Sequence, residues 1–337
     1  MPAVMPAVMP AAAGLPTSIP SPDPAWAVLA LGPLTVHVYA LCLLTGIALA
    51  AWITHRRLVA RGASREVTLD IVLWAVPLGI VVARIYHVLT HLGDYTDGTG
   101  PWGYWEWVRV WDGGIAIYGA LLGGALGVWI GCRRAGLRFW SFADALAPGM
   151  LAAQAVGRLG NYVNQELYGA PTTLPWGLEI DGAVAGYPDA TLFHPIFLYE
   201  MLWNLLGVAV LLLAERAARR RGERLADAVG EPGYGLRWGR LFALYLVWYG
   251  LGRSWLEALR IDPTSNEWLG IPANIWTSLV AIALGVALFV VRGRQHPGPE
   301  TSVYVPGRSA AATADDAPDL SSDDASDVSS DGSRDAG

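Results

Sequence analysis

The chain has 337 residues, 53% hydrophobic and only 15% charged, with a positive mean hydropathy and 16 tryptophans. That excludes an ordinary soluble domain and makes a bilayer the natural solvent. The net charge of -6 arises in one place: residues 293–337 hold nine Asp/Glu against three Arg, leaving 20 acidic and 20 basic residues in a neutral body.

All 23 basic residues are Arg, and nothing in their distribution points to nucleic acid. Cys42 and Cys132 lie in or beside apolar stretches as small buried hydrophobes, forming neither a disulfide framework nor a metal cluster.

In chain order, residues 1–25 form a low-complexity leader. It opens on MPAVMPAVMPAAAGLP, in which Met1, Met5 and Met9 are all possible starts, and lacks the charged start and apolar core of a signal peptide. A membrane domain is expected over 26–292, with apolar runs near 34–54, 68–90, 113–131, 140–157, 195–214, 239–259 and 272–291, each about 20 residues and long enough to span. The fold class is therefore an all-α polytopic membrane protein of about seven transmembrane helices. Between spans two and three, an extracytoplasmic arm over 92–112 is crowded with Trp102, Trp105, Trp107 and Trp111, as for a segment in the headgroup layer. Residues 166–194, with Gly, Pro and short apolar runs, predict a small extracytoplasmic cap with some strand. The Ser/Asp/Ala segment 293–337 cannot bury apolar surface and is expected to be a disordered tail.

Charge orients these spans. Arg56, Arg57, Arg61 and Arg65 follow the first, Arg133, Arg134 and Arg138 the third, an Arg-rich loop at 215–240 the fifth, and Arg292 and Arg294 the last. The alternate connections hold only Arg109 and the border residue Arg260, so the positive-inside rule puts the N-terminus outside and the C-terminus in the cytoplasm.

Arg84, Arg158, Arg253 and Arg260 sit within or at the border of apolar segments, a placement costing a few kcal/mol at midmembrane. Arg253, Glu257 and Arg260 stand at i, i+4 and i+7 on one helical face, so Glu257 is first read as neutralising its neighbours, with Arg260 snorkelling outward. Glu166 and Glu200 are the other carboxylates near the outer boundary, too few to pair Arg84, Arg158 and Arg253 individually. Surplus buried guanidinium implies an anion, and guanidinium forks match phosphate oxygens, so a phospholipid headgroup is the expected ligand. The most specific stretch is GRLGNYVNQELYG, residues 157–169, where Asn161 and Asn164 share a face.

This motif resembles the signature of the bacterial prolipoprotein diacylglyceryl transferases. Further matches are GPLTVHVYAL at 32–41, ARIYHV at 83–88, RVWDGGIAIYGALLGG at 109–124, HPIFLYE at 194–200 and YGLGRSWLEALRIDP at 249–263. The resemblance implies transfer of the diacylglyceryl group of phosphatidylglycerol to the lipobox cysteine thiol of a prolipoprotein, at the outer face of the bacterial cytoplasmic membrane. A thioether forms and glycerol 1-phosphate leaves. By motif position, Arg158 and Arg253 grip the phosphate, Asn161, Asn164 and Glu166 shape the headgroup site and Gly169 allows the turn. Tyr39 faces the cavity, with neighbouring His37 evenly balanced between that and a boundary role, Arg260 with Glu257 supports a gate, and Arg84 either touches lipid or pairs with a carboxylate.

One departure stands out: many relatives carry His after the paired glycines of span three, where this chain has Tyr118. A phenol is a poor general base at neutral pH. Either Tyr118 only orients substrate, or deprotonation falls to His194 or to water; His194 precedes Pro195 and is equally suited to a structural role at a helix start. His55, His91 and His296 read as boundary residues, and Tyr199, Glu200 and Asp112 as packing or polar-network residues. No metal-ligand spacing, phosphate-binding glycine loop or Ser-centred nucleophile occurs, so a reaction without metal or cofactor is expected. The expected partners are phosphatidylglycerol, prolipoprotein signal peptides and membrane lipid. Alternatives are a transporter for an anionic lipid or solute, which would favour an inverted repeat that is not evident, and a non-catalytic scaffold, which leaves the 157–169 cluster unexplained.

Overall fold

The computed structural model describes residues 18–31, 34–96, 103–110, 113–180, 187–188, 191–229, 235–261 and 267–308. The chain divides into two compact units, Met1–Ala60 with Phe139–Thr301, and Arg61–Arg138 with Ser302–Gly337.

The first unit is helical, with small paired strands. Its helices are α1 (Val38–Val59), α5 (Phe139–Val163), α6 (Ile196–Val229), α7 (Arg240–Glu257) and α8 (Ala273–Gln295). The second unit holds α2 (Val67–Thr90), a short α3 (Gly93–Thr96) and α4 (Ile117–Arg134). Helices thus occupy every stretch expected to span, most ends shifted by a few residues, while α6 runs on to Val229, well past the expected end at 214. Among the described residues, four helices have the length and apolarity to cross a membrane: Val38–Val59, Val67–Thr90, Ile196–Glu223 and Ala273–Gln295. The others are diluted by polar and small residues, the glycines and terminal arginines of α4, Asp144 and Arg158 in α5, and Arg253 in α7.

α1 begins later than expected because 28–37 form a hairpin, with β2 (Val28–Leu31) antiparallel to β3 (Leu34–His37). β1 (Ser18–Ile19) lies parallel to β4 (Gly177–Leu178) in the cap, and β5 (Glu267–Trp268) pairs with β6 (Ile271–Pro272). Of the residues assigned from sequence to the leader, Ser18 and Ile19 thus pair with the cap and the next few fasten to the end of α5: the Tyr162 hydroxyl donates to Pro20 O at 2.9 Å and Gln165 Nε2 to Pro22 O at 3.0 Å.

Helix packing follows small residues. In α4, Gly119, Gly123, Gly127 and Gly131 recur every fourth position and are buried against Ala83, Leu78, Trp74 and Ile71 of α2, so the two backbones meet without side chains between them. Within the first unit Gly46 and Gly149 bring α1 and α5 together in the same way. α6 and α7 are clasped differently. Trp203 Nε1 donates to Trp248 O at 3.2 Å and Trp248 Nε1 to Trp203 O at 3.1 Å, with the rings stacked 4.4 Å apart. α7 starts on a borrowed cap: Asp144 of α5, fully buried, accepts the Gly239 and Phe242 N–H groups at 2.8 and 2.9 Å. The core of this unit gathers Ala147, Leu151, Leu211, Leu236, Leu241 and Tyr245.

Residues 293–308, expected to belong to the tail, are structured. α8 continues to Gln295, and Val303 and Tyr304 are buried in the second unit. Residues 309–337 lie outside the described residues.

Candidate functional site

The polar side chains of the first unit converge where α5 ends, α6 begins and α7 ends. Arg158 and Asn161 stand one turn apart on the last turns of α5, Glu200 lies in the first turns of α6, and Arg253 and Glu257 lie one turn apart on α7. The indole clasp sets this register, because Trp203 follows Glu200 by three residues while Gly252, beside Arg253, leaves the space the Trp203 indole fills.

Glu200 bridges two cations: Arg158 Nε pairs with its Oε2, and Arg253 Nη1 lies 3.4 Å from its Oε1. Arg253 Nη2 reaches Glu257 Oε2 at 2.9 Å, and Arg260 Nη1 the same oxygen at 3.6 Å. Asn274 of α8 donates to Glu257 Oε1 at 2.9 Å. On the other flank Arg158 Nη1 donates to Asn161 Oδ1 at 3.0 Å, and Asn161 Nδ2 to Glu166 Oε1 at 2.8 Å, where Asn164 Nδ2 also points from 3.4 Å. One continuous network therefore joins Asn164 to Arg260.

Three guanidinium groups face two buried carboxylates, Glu200 and Glu257, while Glu166 closes the network at its exposed end. Side-chain exposure falls from 26% at Arg158 to 17% at Arg253 and 11% at Arg260, so Arg158 is the most open of the three. Arg158 commits only two of its five N–H donors to Glu200 and Asn161, and the rest suit a phosphate fork. Tyr39, in the first turn of α1, packs on Gly160 next to Asn161; a Cβ there would lie 2.5 Å from the phenol ring. His37 is the exposed N-cap residue of α1 and makes no side-chain cap bond.

Gly169 does not make the turn as expected: left-handed backbone falls at Gln165 and Leu167, with φ of 51° and 58°. Gly169 serves close approach. Its N–H donates to His194 O at 2.9 Å, it bridges to Arg260, and a Cβ would stand 2.8 Å from Leu259 O. His194 thus ties the cap to the start of α6; its Nδ1 lies 3.1 Å from the Tyr199 hydroxyl, which also accepts from Trp176 Nε1 at 3.0 Å.

Arg84 and Tyr118 belong to the second unit. The expected lipid or carboxylate partner of Arg84 is replaced by backbone carbonyls: Nε donates to Trp107 O at 2.9 Å, Nη2 to Glu106 O at 2.7 Å, and Nη1 to Gly113 O and Gly114 O at 2.7 and 3.1 Å. It fastens the arm. Tyr118 is half-exposed in the first turn of α4, its ring 6.4 Å from that of Tyr86. Asp112 lies outside the described residues.

Sequence reasoning counted Glu200 among the few carboxylates near the arginines and as a packing or polar-network residue, without placing it between Arg158 and Arg253, and missed Asn274 altogether. The available signals were a carboxylate in the HPIFLYE block and a lone Asn opening an apolar run. Among the described residues, no group of three or more His, Cys, Asp or Glu is placed to hold a metal ion.

A family model described as prolipoprotein diacylglyceryl transferase matches residues 26–291. Three curated relatives support the match. A phosphatidylglycerol--prolipoprotein diacylglyceryl transferase of Leifsonia xyli is 52% identical over 86% of this chain and 85% of its own length. One of Bifidobacterium adolescentis is 45% identical over 80% and 79%. The protein named phosphatidylglycerol--prolipoprotein diacylglyceryl transferase 2 of Streptomyces coelicolor is 46% identical over 88% of each.

Proposed function

Because the chain belongs to the prolipoprotein diacylglyceryl transferase family, we propose that its Arg158–Glu200–Arg253 bridge is the phosphate grip of that transfer. The protein is a transferase that moves the diacylglyceryl group of phosphatidylglycerol to a prolipoprotein, the diacylglyceryl step of lipoprotein maturation. The relatives' names do not favour the transport alternative.

In detail, the acceptor is the lipobox cysteine thiol. Its sulfur attacks the glyceryl carbon that bears the phosphate. The S–C bond forms, the C–O bond breaks with its electron pair on oxygen, and glycerol 1-phosphate departs. Negative charge grows on the leaving phosphate, and guanidinium groups already held in place stabilise it without reorganising at the moment of reaction. The same field favours thiolate over thiol and so eases proton loss. The observation that carries this reading is the sharing of one buried carboxylate by two arginines. Glu200 fixes both forks in position while leaving positive charge and unused donors for an anion. Asn161, Asn164, Glu166 and Tyr39 shape the headgroup side, and Arg260 with Glu257 steadies Arg253 from behind.

The multi-pass topology of seven spans is part of the same proposal, as are an extracellular N-terminus, a cytoplasmic C-terminus, residence in the bacterial cytoplasmic membrane and a site toward its outer face. Arginines after alternate spans support it. The test is to incubate the purified full-length protein with labelled phosphatidylglycerol and a lipobox peptide, and to follow the thioether and glycerol 1-phosphate together. Equimolar appearance of both supports the reading; a folded protein that releases neither overturns it.

A further inference from the structure

The second unit contains an open cavity of about 410 Å³, with mixed polar and apolar walls, that the transferase reading does not use. Its walls come from three places. Val67, Asp70, Leu73 and Trp74 lie along one side of the first turns of α2, Gly131 and Arg134 close α4, and Tyr304 and Arg308 come from the segment following α8. That segment is fastened to the unit. Leu137 and Tyr304 form a β-bridge, Arg138 N–H donates to Val303 O at 2.8 Å, Val305 N–H to Gly136 O at 2.9 Å, and the buried Tyr304 hydroxyl accepts the Ser64 N–H at 2.9 Å.

The chemistry of the walls is mixed in a specific way. Arg134 lies over the Trp74 indole at 4.9 Å, and Arg308 packs on Gly136. Among the described residues neither guanidinium, nor the Asp70 carboxylate, enters an ion pair. Two cations and one anion in one cavity match a ligand that carries a phosphodiester and an ammonium. Tyr304 has its own O–H left to donate. On the same two helices, Leu69, Leu73 and Trp129 stand exposed and offer an apolar track for acyl chains. We propose that this cavity is a headgroup site for an amine-bearing glycerophospholipid, its phosphate held by Arg134 and Arg308 and its ammonium by Asp70.

The site is independent of the Arg158 network and is tested on the delipidated full-length chain by native mass spectrometry. The chain is titrated with phosphatidylethanolamine, phosphatidylglycerol or inorganic phosphate. Replacing Arg134→Gln and Arg308→Gln together should weaken phosphatidylethanolamine retention about tenfold or more, as expected for lost charged hydrogen bonds. Asp70→Asn should weaken phosphatidylethanolamine while leaving phosphatidylglycerol unchanged, a selectivity that misfolding would not mimic. Unchanged retention in the double variant overturns the proposal. So does equal weakening of both lipids by Asp70→Asn, or displacement of the lipid by inorganic phosphate, which would make the cavity a soluble-anion site.

Discussion

Removing Arg158 offers the sharpest test of the phosphate grip. In the resting network this side chain gives Nε to Glu200 and one Nη1 hydrogen to Asn161, leaving three donors for a ligand. If two of these engage the phosphate, their loss at about 1.5–3 kcal/mol per charged hydrogen bond removes roughly 3–6 kcal/mol, or about 10²- to 10⁴-fold in kcat/KM. Arg158→Lys keeps the charge but not the fork and should fall between wild type and Arg158→Ala. The assay is thioether formation on a lipobox peptide with labelled phosphatidylglycerol in nanodiscs, with kcat and KM resolved separately. Charge growing in the transition state should load the defect onto kcat. An Arg158→Ala protein of native thermal stability with kcat/KM within about threefold of wild type would refute the assignment.

Other substitutions separate the roles of the neighbours. Glu200→Gln removes the shared counter-charge, so phosphatidylglycerol should bind more tightly while kcat falls about tenfold as the forks lose their alignment, a split visible in the same kinetics. Tyr118→Phe should leave kcat/KM within about threefold of wild type if the phenol is no proton acceptor; abolished turnover would return the base to that residue. Asp144→Ala leaves the Gly239 and Phe242 N–H groups without their acceptor and should cost about 2–5 kcal/mol of stability, seen as a lower thermal unfolding midpoint, with Asp144→Asn intermediate. Arg84→Gln frees the carbonyls of Glu106, Trp107, Gly113 and Gly114, so hydrogen exchange over 103–110 should quicken; unchanged protection would mean the arm is held by other contacts.

The long helices were legible because apolar runs of bilayer length have few alternatives, and the motif blocks marked Arg158, Asn161, Glu166 and Arg253 as one group. What stayed hidden depends on adjacency between distant segments. Glu200 looked like one polar residue among several, since nothing in HPIFLYE reveals that α5 and α7 deliver an arginine to each of its oxygens. Arg84 was misread because guanidinium in an apolar run suggests an anion, whereas four backbone carbonyls from a looped arm satisfy it equally well. Asp144 escaped notice because a cap is normally sought beside its own helix, and this one is 95 residues away in sequence. The fourfold glycine spacing of α4 was on the page from the start, but it acquires meaning only against the backbone of α2.

The clasp between Trp203 and Trp248 has an evolutionary corollary. Each indole donates to the backbone of the other residue, so a smaller side chain at one position removes one of the two bonds and leaves a void against the surviving ring, whose own N–H keeps its backbone acceptor. Gly252 is shaped around the Trp203 indole and Gly207 around that of Trp248. These four positions should therefore drift as a single heritable block: lineages that abandon one tryptophan should replace the other and refill both glycines.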